Sequence, residues 1–334
     1  MTNVKLPRRQ VLHLGAGALG AGALALPALS RIAQAQIYPA RPVRMVVAFA
    51  PGGQTDTIAR VFAQQLSERL GKQFFVENVV GGGGAIGIGR TVQAARDGYT
   101  VLVIDTSFVL IPHLQAKVSF DPFKDFDPVS LAVTTTQVLT VTPSLPVQTV
   151  RDLVALVRAN PGKYSYATPG IGTPGHMTAE LFRVSLGLDL VNVPFTGAGP
   201  AIASTIGGHT PIAFGSPAST IPQVNEGKLR ALGVATRARL PALPAVPTMA
   251  EAGFADIEGD FWVGLFVPAG TGGDIVALLN REIDSIVAQR AVQERLAALG
   301  FEPAGIRLAD SAAKLASDDA KWSKVIRAAG LRAE

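Results

Sequence analysis

The chain has 334 residues, of which 48% are hydrophobic and 16% charged, and it contains no cysteine. This length exceeds one typical domain, and the absence of cysteine excludes a disulfide framework, a lipoprotein attachment site and thiol catalysis. Four of the 30 Lys and Arg residues lie in the first 35 positions, which hold no acid, so 26 basic residues face 25 acidic ones in the remainder. Such a balanced chain has no basic cluster for nucleic-acid binding.

The first 35 residues have the pattern of an export signal. Arg8 and Arg9 precede an apolar stretch at residues 14–29, and Ala33 and Ala35 supply small residues for cleavage. Paired arginines favour the twin-arginine route, although two basic residues also occur in ordinary secretory leaders. The alternative is an uncleaved anchor, since the apolar run approaches the ~20 residues that span a bilayer. We expect cleavage near Ala35 and a soluble, periplasmic mature protein.

From Pro42 onward, short apolar strands alternate with amphipathic helices, which is typical of a largely parallel sheet covered by helices. Strands are predicted at residues 43–49, 74–76 and 100–104. The helix after the first strand ends at Gly71, and a second helix is predicted at residues 90–95. Residues 129–142 are rich in β-branched side chains with no turn residue before Pro143, which predicts a strand that passes between two lobes.

The alternation continues after this crossing. Thr149 and Asp152 have the spacing of a capping box for a helix that Pro161 terminates. Further strands are predicted at residues 164–167, 190–193, 211–214, 230–235 and 261–267, and further helices at 177–185, 200–206, 274–289, 292–299 and 308–329.

The simplest topology has the chain cross near residue 137 and return near residue 262. We therefore predict an α/β protein whose two lobes are joined by two crossing strands, with a ligand cleft between them. Residues 36–136 and 263–334 would form a discontinuous first lobe, and residues 137–262 the second lobe.

Four strand-to-helix junctions, at residues 50–56, 81–87, 168–175 and 194–200, are rich in glycine and contain no basic residue. In open α/β sheets such loops lie where ligands bind, and helix N-termini offer unpaired N–H groups and about half a unit of positive charge. The pattern predicts an anion held from both lobes without a cationic side chain. The alternative is that the glycines only form tight turns.

Polar side chains at these junctions have two interpretations. The hydroxyls of Thr55, Thr173 and Thr196 are candidate ligand donors or local caps. Asp56, at a helix start, fits an N-cap better than a ligand group.

Two patterns in the sequence are typical of enzymes, but their support is weaker than the support for ligand binding at the four junctions. The spacing Gly82-x-Gly84-x-x-Gly87, with Asp105 after the next strand, matches a dinucleotide-binding fingerprint. The same glycine spacing recurs at residues 170–175 without a matching acid, and an exported protein meets little free nicotinamide cofactor. His176 and Glu180 stand four residues apart, but no third ligand lies at metal-site spacing. We predict a binding protein without catalysis, cofactor or metal.

A series of motifs in order along the chain resembles the Bug-type receptors of tripartite tricarboxylate transporters. These motifs are Tyr38-Pro39-Ala40-Arg41-Pro42, Phe49-x-Pro51-Gly52-Gly53-x-x-Asp56-x-x-Ala59-Arg60, Val76-Glu77-Asn78, Asp97-Gly98-Tyr99-Thr100, Phe120-Asp121-Pro122, Gly172-Thr173-Pro174-x-His176, Val193-Pro194-Phe195-x-Gly197-x-x-Pro200-Ala201 and Pro244-x-Val246-Pro247-Thr248.

The resemblance implies a type II periplasmic binding-protein fold that closes over a small carboxylate and passes it to membrane permease subunits. We expect a monomer whose ligand is held by backbone N–H groups, small polar side chains and water. The ligand-binding residues that the resemblance implies are Phe49, Pro51, Gly52, Gly53, Gln54, Thr55, Asp56, Gly84, Ala85, Ile86, Thr106, Ser107, Gly172, Thr173, His176, Thr196, Gly197 and Ala198.

Two departures from the family pattern bear on the ligand. Ile111 stands where the family often has asparagine, and Gly215-Ser216-Pro217 stands where an acidic residue is common. We expect a di- or tricarboxylate or an aromatic carboxylate, and the lost polar groups favour a single carboxylate on a less polar body. The alternative is that both stretches face away from the ligand. A ligand sensor that docks on a signalling partner would use the same cleft.

Overall fold

The computed structural model describes Thr2 and residues 38–331. The predicted export signal and its cleavage site lie outside the described residues, apart from Thr2. By its internal contacts the chain divides into a unit of residues 1–38 and a unit of residues 39–334, and the elements below belong to the second. Within the described range, no helix has the length and hydropathy that a membrane crossing requires.

The second unit contains eleven strands in its described part. They are β1 (Val43–Val47), β2 (Phe74–Asn78), β3 (Thr100–Asp105), β4 (Phe126–Thr135), β5 (Val138–Val141), β6 (Tyr164–Thr168), β7 (Leu190–Pro194), β8 (Ile212–Gly215), β9 (Arg230–Val234), β10 (Phe261–Pro268) and β11 (Phe301–Pro303).

Ten α-helices accompany these strands in the same range. They are α1 (Gln54–Leu70), α2 (Ala85–Val92), α3 (Ser107–Leu114), α4 (Val150–Arg158), α5 (Pro174–Ser185), α6 (Ala198–Ile206), α7 (Pro217–Asn225), α8 (Gly273–Val287), α9 (Arg290–Ala298) and α10 (Ser311–Ala328), with short 3₁₀ turns at Gly82–Gly84 and Leu308–Asp310.

The strands form two mixed sheets, and each sheet combines parallel strands with an antiparallel strand that comes from the other sheet. The first has the order β11-β4-β10-β3-β1-β2 and the second β7-β6-β8-β5-β9. Strand β1 runs parallel to β2 and β3, as β6 does to β7 and β8. In each sheet one strand arrives from the other sheet, namely β10 in the first and β5 in the second, and it runs antiparallel to both neighbours.

The prediction of a largely parallel sheet is therefore wrong for the crossing strands. Strand β4 passes directly into β5 through residues 136–137, and β5 begins at the edge of the second sheet where the parallel strands end, since Val138 pairs with Gly215 at the end of β8. The chain thus enters the second sheet without a crossover helix, and β5 lies antiparallel between β8 and β9.

Each sheet has its own apolar core. Around the first sheet, Phe108 packs 4.6 Å from Phe266, and Phe261 stacks on Trp322 of α10 at 4.9 Å between ring centroids. Around the second sheet, Phe182 and Phe214 lie 5.5 Å apart. All six aromatic side chains are almost completely buried. Burying one apolar side chain of this kind contributes about 1.5–3 kcal/mol to the free energy of unfolding.

Several elements differ from the sequence predictions. Helix α2 begins at Ala85 instead of residue 90. Gly87 and Gly89 lower its helix propensity, so the sequence did not indicate this earlier start. In the structure they allow the helix to lie close to the first sheet, since a Cβ at Gly87 would be 2.7 Å from the Val79 carbonyl oxygen. Helices α3 and α7 and strand β11 were not predicted. Helix α3 is apolar on most sides and contains Pro112, so it lacks the amphipathic period of a surface helix.

Candidate functional site

Two adjoining cavities are lined by residues from both sheets, and they share Phe49 and Pro169. The inner cavity has a volume of about 40 Å³, which is room for only a few water molecules. Its lining comes from the ends of β1 and β3 (residues 49, 50, 53–55 and 105), the link residue Gln137, and the ends of β6, β7 and β8 (residues 169, 173–175, 197, 198 and 216).

The outer cavity is larger, about 890 Å³. It is lined by residues 48 and 49 after β1, 80–84 after β2 and 115–117 after α3, together with 169–171 after β6 and 194–196 at the end of β7. All four glycine-rich junctions therefore contribute to one cleft at the carboxyl ends of the strands, where open α/β sheets bind ligands.

Helices α1 and α6 begin at the inner cavity from opposite sheets. Their N-cap residues are Gly53 and Gly197, and neither helix has a side-chain cap. A Cβ placed on Gly53 would lie 3.8 Å from the Cβ of Ala198, so the two helix starts are close neighbours. First-turn N–H groups have no intrahelical partner, and at these two ends they are available to an anion, except at Pro200 of α6, which has no N–H.

Helix α5 also begins here, but its first turn is capped internally. The Thr173 hydroxyl accepts from the His176 N–H at 3.4 Å and donates to the Gly170 carbonyl at 2.7 Å. Pro174 occupies the first helical turn and has no N–H. Thr173 therefore shapes the loop, and the anion-binding capacity lies mainly at α1 and α6.

The floor of the inner cavity contains a buried acid. Asp105 is 3% exposed, and its carboxylate accepts hydrogen bonds from Gln54 Nε2 at 2.8 Å, Thr55 Oγ1 at 3.1 Å, and both the N–H and the hydroxyl of Ser107. Burial raises the pKa of Asp105, and these hydrogen bonds oppose the rise. All four donors are neutral groups.

A second buried acid, Asp56, holds the loop after β1. The N-cap interpretation of Asp56 is wrong, because Gly53 is the N-cap of α1 and Asp56 lies within the first turn. It pairs with Arg60 at 2.9 Å and accepts from the Gly52 N–H at 2.9 Å and from Asn78 Nδ2 at 3.0 Å. Burial alone would raise the pKa of Asp56, but the hydrogen bonds from Arg60, Gly52 and Asn78 lower it. Asn78 Nδ2 also donates to the Phe49 carbonyl at 2.9 Å, so Asp56 positions the residues that line the cleft.

The loop 81–84 forms one wall of the outer cavity. All four glycines have positive φ, from 56° to 137°, a region that side-chain-bearing residues rarely adopt. Gln115 Nε2 donates to the Gly82 carbonyl at 2.6 Å, and a Cβ on Gly83 would lie 3.2 Å from the Ile171 carbonyl oxygen. Lys117 is the one cationic side chain among the described residues that line either cavity.

Residues 58–331 match the family described as the tripartite tricarboxylate transporter family receptor. The chain belongs to this family. Protein BugT of Bordetella pertussis is 34% identical to this receptor over 300 residues, covering 89% of this chain and 92% of that protein. The resemblance to Bug-type receptors is confirmed, and so is the prediction of a binding protein rather than an enzyme, because this is a family of solute-binding receptors.

Three solved structures resemble this receptor over nearly its whole described length. A protein of R. palustris with adipate has a TM-score of 0.86 at 31% identity, covering 89% of this chain and 100% of that chain. MatC from Rhodopseudomonas palustris with bound malate has a TM-score of 0.81 at 31% identity, covering 86% of this chain and 100% of that chain. The structure of the periplasmic binding protein BugD has a TM-score of 0.84 at 31% identity, covering 89% of this chain and 100% of that chain, and it confirms the predicted two-lobed periplasmic binding-protein fold.

The structure places the predicted site residues in three groups. Phe49, Gly53, Gln54, Thr55, Thr173, Gly197 and Ala198 line the inner cavity, and Gly84 and Thr196 line the outer one. The remaining nine line neither cavity, and these are Pro51, Gly52, Asp56, Ala85, Ile86, Thr106, Ser107, Gly172 and His176.

The residues that line neither cavity have other contacts. Ser107 contacts Asp105, the Thr106 hydroxyl accepts from the Trp262 N–H at 3.2 Å, and His176 Nδ1 accepts from the Gly172 N–H at 3.1 Å. Ile86 is 48% exposed. Direct ligand contact by any of the predicted residues stays a prediction.

The site predictions omitted several lining residues, namely Ala50, Asp105, Gln137, Pro169, Pro174, Gly175 and Ser216. Ala50, Pro169, Pro174 and Gly175 belong to the predicted junctions, so the loop pattern already contained them. Asp105 was considered only for the dinucleotide alternative. Ser216 lines the inner cavity whereas Ile111 lines neither cavity, so one of the two departures from the family pattern faces the cleft.

The candidate metal pair has a different role. Glu180 accepts from the Tyr166 hydroxyl and from Arg183 at 2.7 Å and 2.9 Å, while His176 Nδ1 is bonded to Gly172. Burial, and then the neighbouring Glu180, raise the pKa of Tyr166. No group of three or more metal-ligating side chains occurs among the residues that the structure describes.

Proposed function

We propose that this receptor captures a small carboxylate outside the cytoplasm and delivers it to the membrane subunits of a tripartite tricarboxylate-type transporter. Its family membership supports a transport role. Two relatives at 31% identity have been solved with adipate and with malate, which supports a carboxylate as the ligand.

One observation in the structure carries the proposal. The uncapped N-termini of α1 and α6 come from different sheets and meet at one small cavity, and no Lys or Arg is among the described residues that line it. A carboxylate placed there would accept N–H donors from both sheets and interact with the positive ends of two helices. A ligand that bridges both sheets stabilises their closed arrangement, since its contacts are made only when they approach.

We further propose that the two lobes move about the two crossings. Residues 36–136 with 263–334 would then form one rigid lobe and residues 137–262 the other. The ligand contacts would fall at the predicted residues that line the two cavities, together with Gln137 and Ser216. Cleft closure around a ligand by hinge motion at a few linking residues is a common transition in two-lobed binding proteins.

The carboxylate proposal is tested by calorimetric titration and thermal unfolding with a panel of mono-, di- and tricarboxylates. We expect at least one to bind, to remain chemically unchanged, and to stabilise the fold by about 3 kcal/mol at a hundred times its dissociation constant. If no carboxylate in the panel shifts the unfolding temperature while uncharged analogues do, the proposed ligand class is wrong.

The partner is tested separately. A pull-down from solubilised membranes with the carboxylate-loaded mature protein should recover integral permease subunits. Recovery of a signalling receptor instead would favour the sensor alternative, which uses the same cleft.

The export route is part of the proposal. The Arg8-Arg9 pair predicts twin-arginine export with cleavage near Ala35, so replacing both residues with lysine should trap the precursor in the cytoplasm. Continued appearance of the processed protein in the periplasmic fraction would indicate the general secretory route.

A further inference from the structure

The inner cavity contains an acid without a cationic partner. The carboxylate of Asp105 is buried and lines the cavity, where its four hydrogen-bond donors come from Gln54, Thr55 and Ser107. Within residues 38–331, no Lys or Arg lines this cavity, and Lys117 lines only the outer one. A buried carboxylate without a cation is costly, because neutral donors only partly replace its hydration.

Asp56 provides a contrast within the same protein. It is equally buried, but Arg60 forms two hydrogen bonds with it, from Nε and Nη2, both at 2.9 Å. Asp56 therefore has an internal counter-ion and a structural role in its loop. Asp105 has no such partner in the described part of the chain and lies at the cavity surface. This is the arrangement of a group that meets its counter-charge in a ligand.

The surroundings of Asp105 also fit a ligand that carries a negative carboxylate and a positive ammonium group. Gln54 and Thr55 provide N–H groups in the first turn of α1, where a carboxylate binds best, and their side chains donate to Asp105. The two subsites are therefore adjacent. An ammonium that bound Asp105 would replace the Gln54 amide as donor, and the released amide would be free to donate to the ligand carboxylate.

We infer that Asp105 is a specificity-determining residue that selects carboxylates bearing a nearby hydrogen-bond donor, with a protonated amino group preferred over a hydroxyl. This inference rests on the proposed carboxylate function and deepens it. A plain dicarboxylate would place a second anion near Asp105, and the repulsion in a small, poorly hydrated cavity disfavours it. An aminocarboxylate instead neutralises the buried acid.

The inference is tested with ligand series that differ in one substituent. Succinate, L-malate and L-aspartate carry hydrogen, hydroxyl and ammonium on the same carbon, while adipate with 2-aminoadipate and 3-phenylpropanoate with L-phenylalanine extend the comparison to longer and aromatic bodies. Calorimetry on the wild-type protein should give at least tenfold tighter binding of the amino member in each series that binds, with malate between succinate and aspartate.

Asp105→Asn should remove this preference, because the amide keeps the shape but not the charge, and the plain carboxylate should then bind as tightly as the amino member. Asp105→Ser serves as a second variant if the amide disturbs folding. Asp260→Asn is the matched control, since Asp260 lies in a separate pocket beside Thr136 and Gly300, and it should keep the wild-type ratio.

Failure of this inference and failure of the proposed function give different results. Equal or tighter binding of the plain carboxylates by the wild-type protein, or an unchanged ratio in both Asp105 variants, overturns the inference and leaves the carboxylate proposal intact. Failure of every plain and amino carboxylate to bind overturns the proposed function itself.

Discussion

Gln137 Nε2 donates to Gln54 Oε1 across 3.3 Å, and this bond joins the link between β4 and β5 to the first turn of α1. Gln137 is 1% exposed and also donates to the Thr136 carbonyl at 2.8 Å. Gln54 in turn donates to Asp105 at 2.8 Å. A continuous set of hydrogen bonds therefore runs from a crossing between the sheets to the floor of the inner cavity.

Gln137→Leu should weaken binding of the tightest carboxylate in the panel by about 1 kcal/mol, which is about fivefold, because Gln54 loses the partner that orients its amide. Gln137→Glu should have a larger effect, since a carboxylate would face the Gln54 oxygen and lie near Asp105. Calorimetry measures both. If both variants bind as the wild type does, the Gln137–Gln54 bond has no part in forming the site.

A second prediction concerns the close approach of the sheets at Gly197. A Cβ on this residue would lie 2.7 Å from the Cβ of Ala50, which belongs to the loop after β1, whereas a Cβ on Gly199 in the same helical turn would meet nothing within 4 Å. Gly197→Ala should therefore weaken carboxylate binding by about 1–3 kcal/mol through overpacking of the closed arrangement. Gly199→Ala should leave binding unchanged.

Thermal unfolding of the two unliganded variants provides the check on folding. Both should unfold near the wild-type temperature, because the Gly197–Ala50 contact joins different sheets and is not required within either core. Equal affinities of the two variants would show that the cleft does not close to this distance around a ligand.

The sequence predicted most strands, the two crossings and the junctions around the cleft, because these depend on local hydrophobicity and turn residues. Helix α3 was missed because Phe108, Val109, Leu110 and Ile111 are all buried. A helix surrounded by protein has no polar face, so periodicity cannot distinguish it from a strand.

The two buried acids, Asp56 and Asp105, show which contacts of the site can be predicted from the sequence and which cannot. Asp56 and Arg60 have the i,i+4 spacing of a helical ion pair, but the sequence analysis interpreted Asp56 as an N-cap and did not predict the pair. The environment of Asp105 is not, because its partners Gln54 and Thr55 lie 51 and 50 residues away, and their contact exists only after β1 and β3 pair. Gln137 likewise enters the cavity only because the first crossing passes beside α1.

Asp105 should also affect the pH dependence of the unliganded fold. Because burial raises its pKa above the ordinary value of 3.8, the unfolded chain loses this proton at lower pH than the folded protein does. Its contribution to stability is therefore present in full below pH 3.8 and is lost as the pH rises through the folded-state pKa. Asp105→Asn does not titrate, but its amide nitrogen faces a donor of Gln54 or Ser107, which lowers its stability at every pH. Its unfolding temperature relative to that of the wild type should therefore rise from acid to neutral pH. A relative unfolding temperature that stays constant or falls over this range would contradict the raised pKa of Asp105.

His176 should act in the opposite direction. Burial lowers its pKa from 6.5 to about 4, so the unfolded chain takes up a proton between these values while the folded protein does not. Full stability is therefore present above pH 6.5, and acidification towards pH 4 removes about 3 kcal/mol. His176→Asn keeps an acceptor at the position of Nδ1 for the Gly172 N–H but does not titrate, so its stability should fall less over this range. Denaturant unfolding at pH 7 and pH 4.5 measures the loss of unfolding free energy in the wild type and in His176→Asn. An equal loss in both proteins would contradict a buried neutral imidazole.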